Sequence, residues 1–231
     1  MTNADRRIIG AAMVLVLVLT GAVPALADDA IEARQLVDKA RLAMEEFVAD
    51  PVLGGFRDLV RKAKAVFIAP GVLRAAFIIG ASGGSGVLLA RDEKTGQWTD
   101  PAFYTMGSVS FGLQAGGDSS DVVLLILSQR GLTALLASTI KLGVDASMAA
   151  GPMGTGLAGS TAGLSADIVS YSRARGLYGG MSVDGAVVAV RSGLNSAYYG
   201  QTVTPTNILI RRGVTNPESR GLIEVLTTAV R

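Results

Sequence analysis

The sequence predicts an α+β domain: a strongly curved, glycine-rich, antiparallel and barrel-like sheet with helices at its N-terminal and C-terminal ends. Three observations predict it. Apolar residues recur at three- and four-residue spacing near both ends of the chain, short apolar runs bounded by turn residues fill the middle, and many of the 29 glycines fall in or beside those runs. The first pattern is that of amphipathic helices and the second that of strands. Glycine within a strand permits the bulges and close backbone approaches that bend a sheet.

The chain opens with Arg6 and Arg7, an apolar run from Met13 to Leu19, and Ala25-Leu26-Ala27 ahead of Asp28. Charge, apolar core and small residues in that order predict a secretory signal peptide, residues 1–27, cut between Ala27 and Asp28. Gly10, Gly21 and Pro24 interrupt the apolar stretch, which argues against a retained spanning helix of roughly 20 residues. The remainder, 28–231, has the length of a single domain. The expected location is the periplasm or the medium, with peripheral membrane association open.

From Asp29 to Asp50, Ile31, Leu36, Val37, Ala40, Met44, Phe47 and Val48 form one apolar face opposite Glu32, Arg34, Asp38, Lys39, Arg41 and Glu45. A helix ending at Pro51 follows, and a second short one is expected from Val52 to Lys62. Strands are expected at Ala65–Ala69, Ala76–Ile79 and Val87–Arg91. The last is joined by the turn Asp92–Gly96 to Gln97-Trp98-Thr99. Ser108–Gly116 and Val122–Leu127 read as a hairpin around Gly117–Ser120, and Gln129–Ser138 as a short helix. Strands resume at Leu142–Met148, Leu164–Arg173, Gly176–Val183 and Ala186–Arg191, with Asp184-Gly185 as a hairpin signal between the last two. Pro205–Arg212 and Pro217–Val230 return to helix.

Composition narrows the function classes. There is no histidine and no cysteine, which removes Ser-His-Asp and Cys-His catalysis, histidine-ligated zinc and haem, and disulfide stapling. Carboxylates alone can run a glycosidase, so a carboxylate-based hydrolase stays as a third reading. Asp100, Asp118, Asp121, Asp145, Asp167 and Asp184 are nevertheless scattered over different elements and suit turns and strand ends. No catalytic residue, metal ligand or cofactor is therefore assigned. Setting aside Asp5, Arg6 and Arg7 takes the 21 basic and 19 acidic residues to 19 and 18, a balance with no global basic field for nucleic acid.

Two local features bear on binding. Gly80-Ala81-Ser82-Gly83-Gly84-Ser85-Gly86 has the glycine density of a phosphate cradle, but no Lys-Ser or Lys-Thr follows, and the next residues read as a strand where a cradle needs a helix. Arg57, Arg61, Lys62, Lys64 and Arg74 crowd one segment with only Asp58 opposing them. Such a cluster beside an amphipathic helix suits anionic lipid headgroups.

Strings from Leu36 to Gly200 carry a resemblance: Ala65-Val66-Phe67-Ile68-Ala69-Pro70, Gly86-Val87-Leu88-Leu89-Ala90-Arg91, Gln97-Trp98-Thr99-Asp100-Pro101-Ala102-Phe103-Tyr104, Asp121-Val122-Val123-Leu124, Lys141-Leu142-Gly143-Val144-Asp145, Ala150-Gly151-Pro152, Tyr171–Gly180 and Asn195-Ser196-Ala197-Tyr198-Tyr199-Gly200. Together and in this order they resemble the SYLF-domain family. The resemblance implies a lipid-binding domain. Eukaryotic members look like phosphoinositide-binding membrane adaptors, fungal relatives also bind and bundle actin, and bacterial members are often exported. The expectation is peripheral binding to anionic phospholipid, with Arg57, Arg61, Lys62, Lys64 and Arg74 on the headgroups and shallow insertion of the helix around Met44 and Phe47. Against it stands a cell-envelope structural or interaction protein that binds a protein partner.

Overall fold

The computed structural model describes residues 22–53, 55–76, 79–111, 116–151, 165–174, 177–179 and 185–230. Within these the chain runs α1 (Ala22–Ala49), α2 (Phe56–Lys62), β1 (Ala65–Ala76), β2 (Ile79–Ala90), β3 (Ala102–Phe111), β4 (Gly116–Ile126), α3 (Gln129–Leu135), β5 (Thr139–Lys141), β6 (Met148–Ala150), β7 (Ile168–Ala174), β8 (Leu177–Gly179), β9 (Val187–Val190), α4 (Ser192–Tyr199), α5 (Pro205–Leu209) and α6 (Arg220–Ala229). The apolar run Met13–Leu19 lies outside the described residues. Among those described, no helix is long and apolar enough to cross a membrane.

One nine-stranded sheet organises the fold, in the order β5-β9-β3-β2-β1-β4-β7-β6, with β8 also on β7. Every pairing is antiparallel except β6 with β7. The sheet curls into a half-barrel with helices from both ends of the chain, as expected. Part of the bend has a local cause. Pairing of β1 with both neighbours shifts register around Pro70-Gly71. There proline offers no N–H to the ladder, and Gly71 takes φ +63°, a backbone angle that side chains resist. The Gly71 N–H donates instead to Asp121 Oδ1 at 2.9 Å. A second glycine makes room for packing. A Cβ on Gly86 would fall 2.5 Å from the Phe67 ring, which lies over the strand and meets Tyr104 edge-on at 6.2 Å between centroids.

Both faces of the sheet are buried over its central part. Val66, Ile68, Val87, Leu89, Phe103, Val123, Leu125, Val169 and Tyr171 pack under α1, α2 and α6. The alternate residues Phe67, Leu88, Tyr104, Val122, Leu124, Ile126 and Val188 build a second core with α3 and α5. Strands buried on both sides lose the apolar-polar alternation and read as continuous apolar runs, which is why Ala65–Ala69 and Val122–Leu127 were legible. The helix α1 lies across the strands: Glu32 pairs with Arg191 just after β9, and Glu46 with Arg173 on β7. At ~1.5 Å per residue the helix between those anchors covers ~21 Å. The five strand spacings from β9 to β7 would need ~24 Å in a flat sheet, so the pairing fits a curved one.

Several expectations change. Of the hairpin expected around Asp184-Gly185, residues 180–184 lie outside the described residues; in the described parts β8 pairs with β7, whereas β9 pairs with β3 and β5 at the other side of the sheet. Gly117–Ser120 is strand, not turn, because β4 starts at Gly116. The expected strand Leu142–Met148 is a turn flanked by β5 and β6. The helix α4 was not expected. No side chain caps its start and glycine and tyrosine are weak helix formers, but Leu194, Asn195 and Tyr198 bury against β3. Asn195 Oδ1 accepts from the Phe103 N–H at 3.0 Å, and its Nδ2 donates to the Phe103 carbonyl at 3.2 Å.

The carboxylates hold local structure. Asp167 accepts from the Ser128 hydroxyl, from the Ser147 N–H at 2.9 Å and from the Ser147 hydroxyl at 2.8 Å. The Ser128 bond foremost holds its carboxyl below the usual range against the desolvation of the site. Ser128 also caps α3 by accepting from the Gly131 N–H. Asp100 accepts from the Asn216 N–H and the Ser219 hydroxyl, and Asp145 from the Lys141 N–H. Asp184 lies outside the described residues.

Candidate functional site: a basic crevice at one end of the sheet

At the end where α2 enters β1, the chain passes through Arg61, Lys62, Ala63 and Lys64, and the turn after β2 supplies Arg91, Asp92, Glu93 and Gly96. Together these line a polar crevice of ≈ 250 Å³. A backbone bond locks the two segments together, the Arg91 N–H donating to the Lys64 carbonyl at 2.7 Å, and the Lys64 N–H ties the first segment to the end of β4 by donating to the Ile126 carbonyl at 2.8 Å. Arg91 is positioned from three sides. Its Nη1 donates to the Arg61 carbonyl at 2.7 Å, its Nε to the Gly96 carbonyl at 3.2 Å, and its guanidinium stands 6.0 Å over the Trp98 ring.

Asp92 shapes the turn. Its Oδ1 accepts from the Lys94 and Thr95 N–H groups at 2.8 and 2.7 Å, and Arg212 pairs with it at 3.3 Å. The Thr95 and Lys94 backbone bonds hold the Asp92 carboxyl below its ordinary range. Arg61 pairs with Asp58, and Lys64 with Glu93. Lys62 is exposed, with no ion pair among the described residues.

The five cations expected to act together are divided. Arg61, Lys62 and Lys64 share the crevice. Arg57 is exposed but turns to α1, donating from Nε to the Val48 carbonyl at 3.1 Å and so satisfying a carbonyl of the last helical turn. Arg74 lies near the far end of β1, ~30 Å along the strand from Lys64 at ~3.3 Å per residue. It lines a separate open trough of ≈ 770 Å³ with Leu73, Ala81, Ser82 and Asp118. A patch in sequence becomes two ends of a strand in space.

Met44 and Phe47 require a correction. Both are 0% exposed. Phe47 stacks on Phe56 at 5.6 Å between centroids, and both belong to the core beneath α1. Shallow insertion by these side chains is incompatible with this packing, because they already satisfy the sheet. Arg91 and Arg212 were missed as contributors. Arg91 belongs to one of the quoted strings, but its place beside Lys64 depends on the pairing of β1 with β2. The segment Gly80–Gly86, expected between the strands Ala76–Ile79 and Val87–Arg91, itself lies within β2. Among the described residues, no group of three or more acidic side chains could hold a metal ion.

The family model described as "Ysc84: Las17-binding protein actin regulator" matches residues 107–229. The chain belongs to this family, whose domain is the SYLF domain. Family relatives include Protein YSC84 of Saccharomyces cerevisiae, 32% identical over 78% of this chain and 38% of the yeast protein. LAS seventeen-binding protein 3 of the same yeast is 33% identical over 78% of this chain and 39% of the relative. The SH3 domain-containing YSC84-like protein 1 of Bos taurus is 32% identical over 73% of this chain and 49% of the relative. The chain thus spans about half or less of the length of these relatives.

Proposed function

We propose that this SYLF domain is a non-enzymatic, peripheral binder of anionic phospholipid, and that the basic crevice receives the headgroup. The reading is supported by one observation above others: Arg61, Lys62 and Lys64 from one segment and Arg91 from another, distant in sequence, line one polar crevice. Three of the four lie among the cations that the sequence alone suggested. Phosphate oxygens are strong acceptors for such N–H donors, and the exposed charges draw the domain to an anionic surface over a Debye length of ~8 Å at physiological salt.

Co-sedimentation with anionic vesicles tests this. Binding is expected to fall steeply as salt is raised. Arg61→Glu, Lys62→Glu and Lys64→Glu together are expected to abolish it, with thermal stability lowered only by the loss of two exposed ion pairs, each worth ~0–1 kcal/mol. Unchanged vesicle binding by a folded triple variant would overturn the assignment.

A protein partner is the second reading, and the family description favours it: it names a Las17-binding actin regulator. Absence of binding to any vesicle, with capture of a defined protein, would favour it over lipid. We further propose that the domain works after export, with residues 1–27 removed. The intact mass of the exported product is then that of a chain starting at Asp28, and recovery of Met1 would sink the proposal.

A further inference from the structure

We propose that the crevice selects a phosphodiester that also carries an ammonium group, the headgroup chemistry of an aminophospholipid; this rests on the lipid-binding reading above. The crevice is not uniformly basic. Asp92 and Glu93 line it beside Arg61, Lys62, Lys64 and Arg91. The two acids are not equivalent. Asp92 is committed to the turn through the Lys94 and Thr95 N–H groups and to Arg212. Among the described residues Glu93 pairs with the Lys64 ammonium alone, and its side chain is 65% exposed against 29% for Lys64.

A ligand of one sign meets a conflict here. A phosphate that draws Lys64 away leaves the Glu93 carboxylate without its partner and close to the incoming negative charge. A phosphate with an ammonium a few bonds away resolves the conflict by exchange: Lys64, with Lys62 and Arg91, turns to the phosphate while Glu93 turns to the ligand's ammonium. For a headgroup of one phosphate and one ammonium, one ion pair opens and two form, and no charge is left uncompensated; a further carboxylate on the ligand is met by the exposed Lys62. The geometry suits the exchange, since Glu93 stands on the exposed turn and Lys64 is anchored at the start of β1.

Two lipids of equal net charge separate this selectivity from general attraction to anionic surfaces. Phosphatidylserine and phosphatidylglycerol each carry a net single negative charge at neutral pH; the first bears an ammonium and a carboxylate where the second bears hydroxyls, and dependence on Glu93 singles out the ammonium. In phosphatidylcholine vesicles doped with equal fractions of one or the other, the wild-type chain from Asp28 is expected to bind phosphatidylserine about three- to fivefold more tightly, the scale of one exposed charge pair. Glu93→Gln is expected to erase that ratio and raise binding to phosphatidylglycerol, with thermal stability lowered by no more than the loss of one exposed ion pair. Free glycerophosphoserine separates the two sources of this chemistry. Glu93-dependent binding of it in solution assigns the crevice to a free headgroup, and Glu93-dependent binding of vesicles alone assigns it to lipid. Equal binding of the two vesicle types by the wild-type chain, or a ratio unchanged by Glu93→Gln, would overturn the selectivity while leaving phospholipid binding in place. Binding to neither vesicle would overturn the lipid reading itself.

Discussion

Phe47→Asp is expected to abolish the folded state. The ring is fully buried, stacks on Phe56, and closes the core between α1 and the sheet. Removing a buried phenylalanine to alanine already costs ~3–5 kcal/mol. An ionised carboxylate in the same place adds a desolvation penalty of several kcal/mol unless it takes up a proton. The sum is of the size of a whole domain's stability, ~5–15 kcal/mol. Loss of the cooperative thermal transition, followed by circular dichroism, is the expected result, and Met44→Asp should behave alike. A Phe47→Asp protein that melted like the wild type but no longer bound vesicles would restore the insertion role and contradict the packing. Charge reversal in the basic crevice is expected to give the opposite signature, loss of binding with the fold retained, so the same pair of measurements on both sets of variants keeps stability and binding apart.

Trp98→Ala is expected to cost ~3–5 kcal/mol. The indole is 6% exposed and belongs to the core under α1, and the strand ladder beside it closes at the Arg91–Trp98 bridge. Its Nε1–H has no hydrogen-bond partner among the described residues, and Trp98→Phe, which removes that donor and keeps an aromatic ring in the core, should cost clearly less than the alanine variant. Denaturant midpoints of the two variants check the order. Fluorescence of the native protein should be blue-shifted from that of indole in water, and water-like emission would place Trp98 at the surface. Because Arg91 stands over this ring, Trp98→Ala is also expected to loosen the crevice wall.

The elements legible in sequence were those whose physics is local. The amphipathic pattern from Ile31 to Val48 marked α1, and Ala65–Ala69 and Val122–Leu127 marked strands buried on both faces. The apolar run Val87–Arg91 was read as strand, and β2 extends it back through the segment Gly80–Gly86. What failed depended on partners far along the chain. Gly185 has the positive φ of a turn residue, as a hairpin signal promises, but the strand after it goes to β3. The helix α4 is held by burial and by Asn195 on Phe103, and its own residues are poor helix formers.

The sequence by itself determined the fold class and the family. It also determined the lack of histidine and cysteine chemistry and the presence of a cationic segment after the first helices, because composition and spacing along the chain carry those directly. Only the tertiary structure decided which charges meet. Arg61, Lys62 and Lys64 stay together because a helix end and a strand start keep neighbours close. Arg74 is carried ~30 Å away because each residue of an extended strand advances ~3.3 Å. Arg91 and Glu93 arrive beside Lys64 through the antiparallel register of β1 and β2. That same register decided the fate of the apolar helix face: the sheet's own apolar surface needed covering, and Met44 and Phe47 cover it.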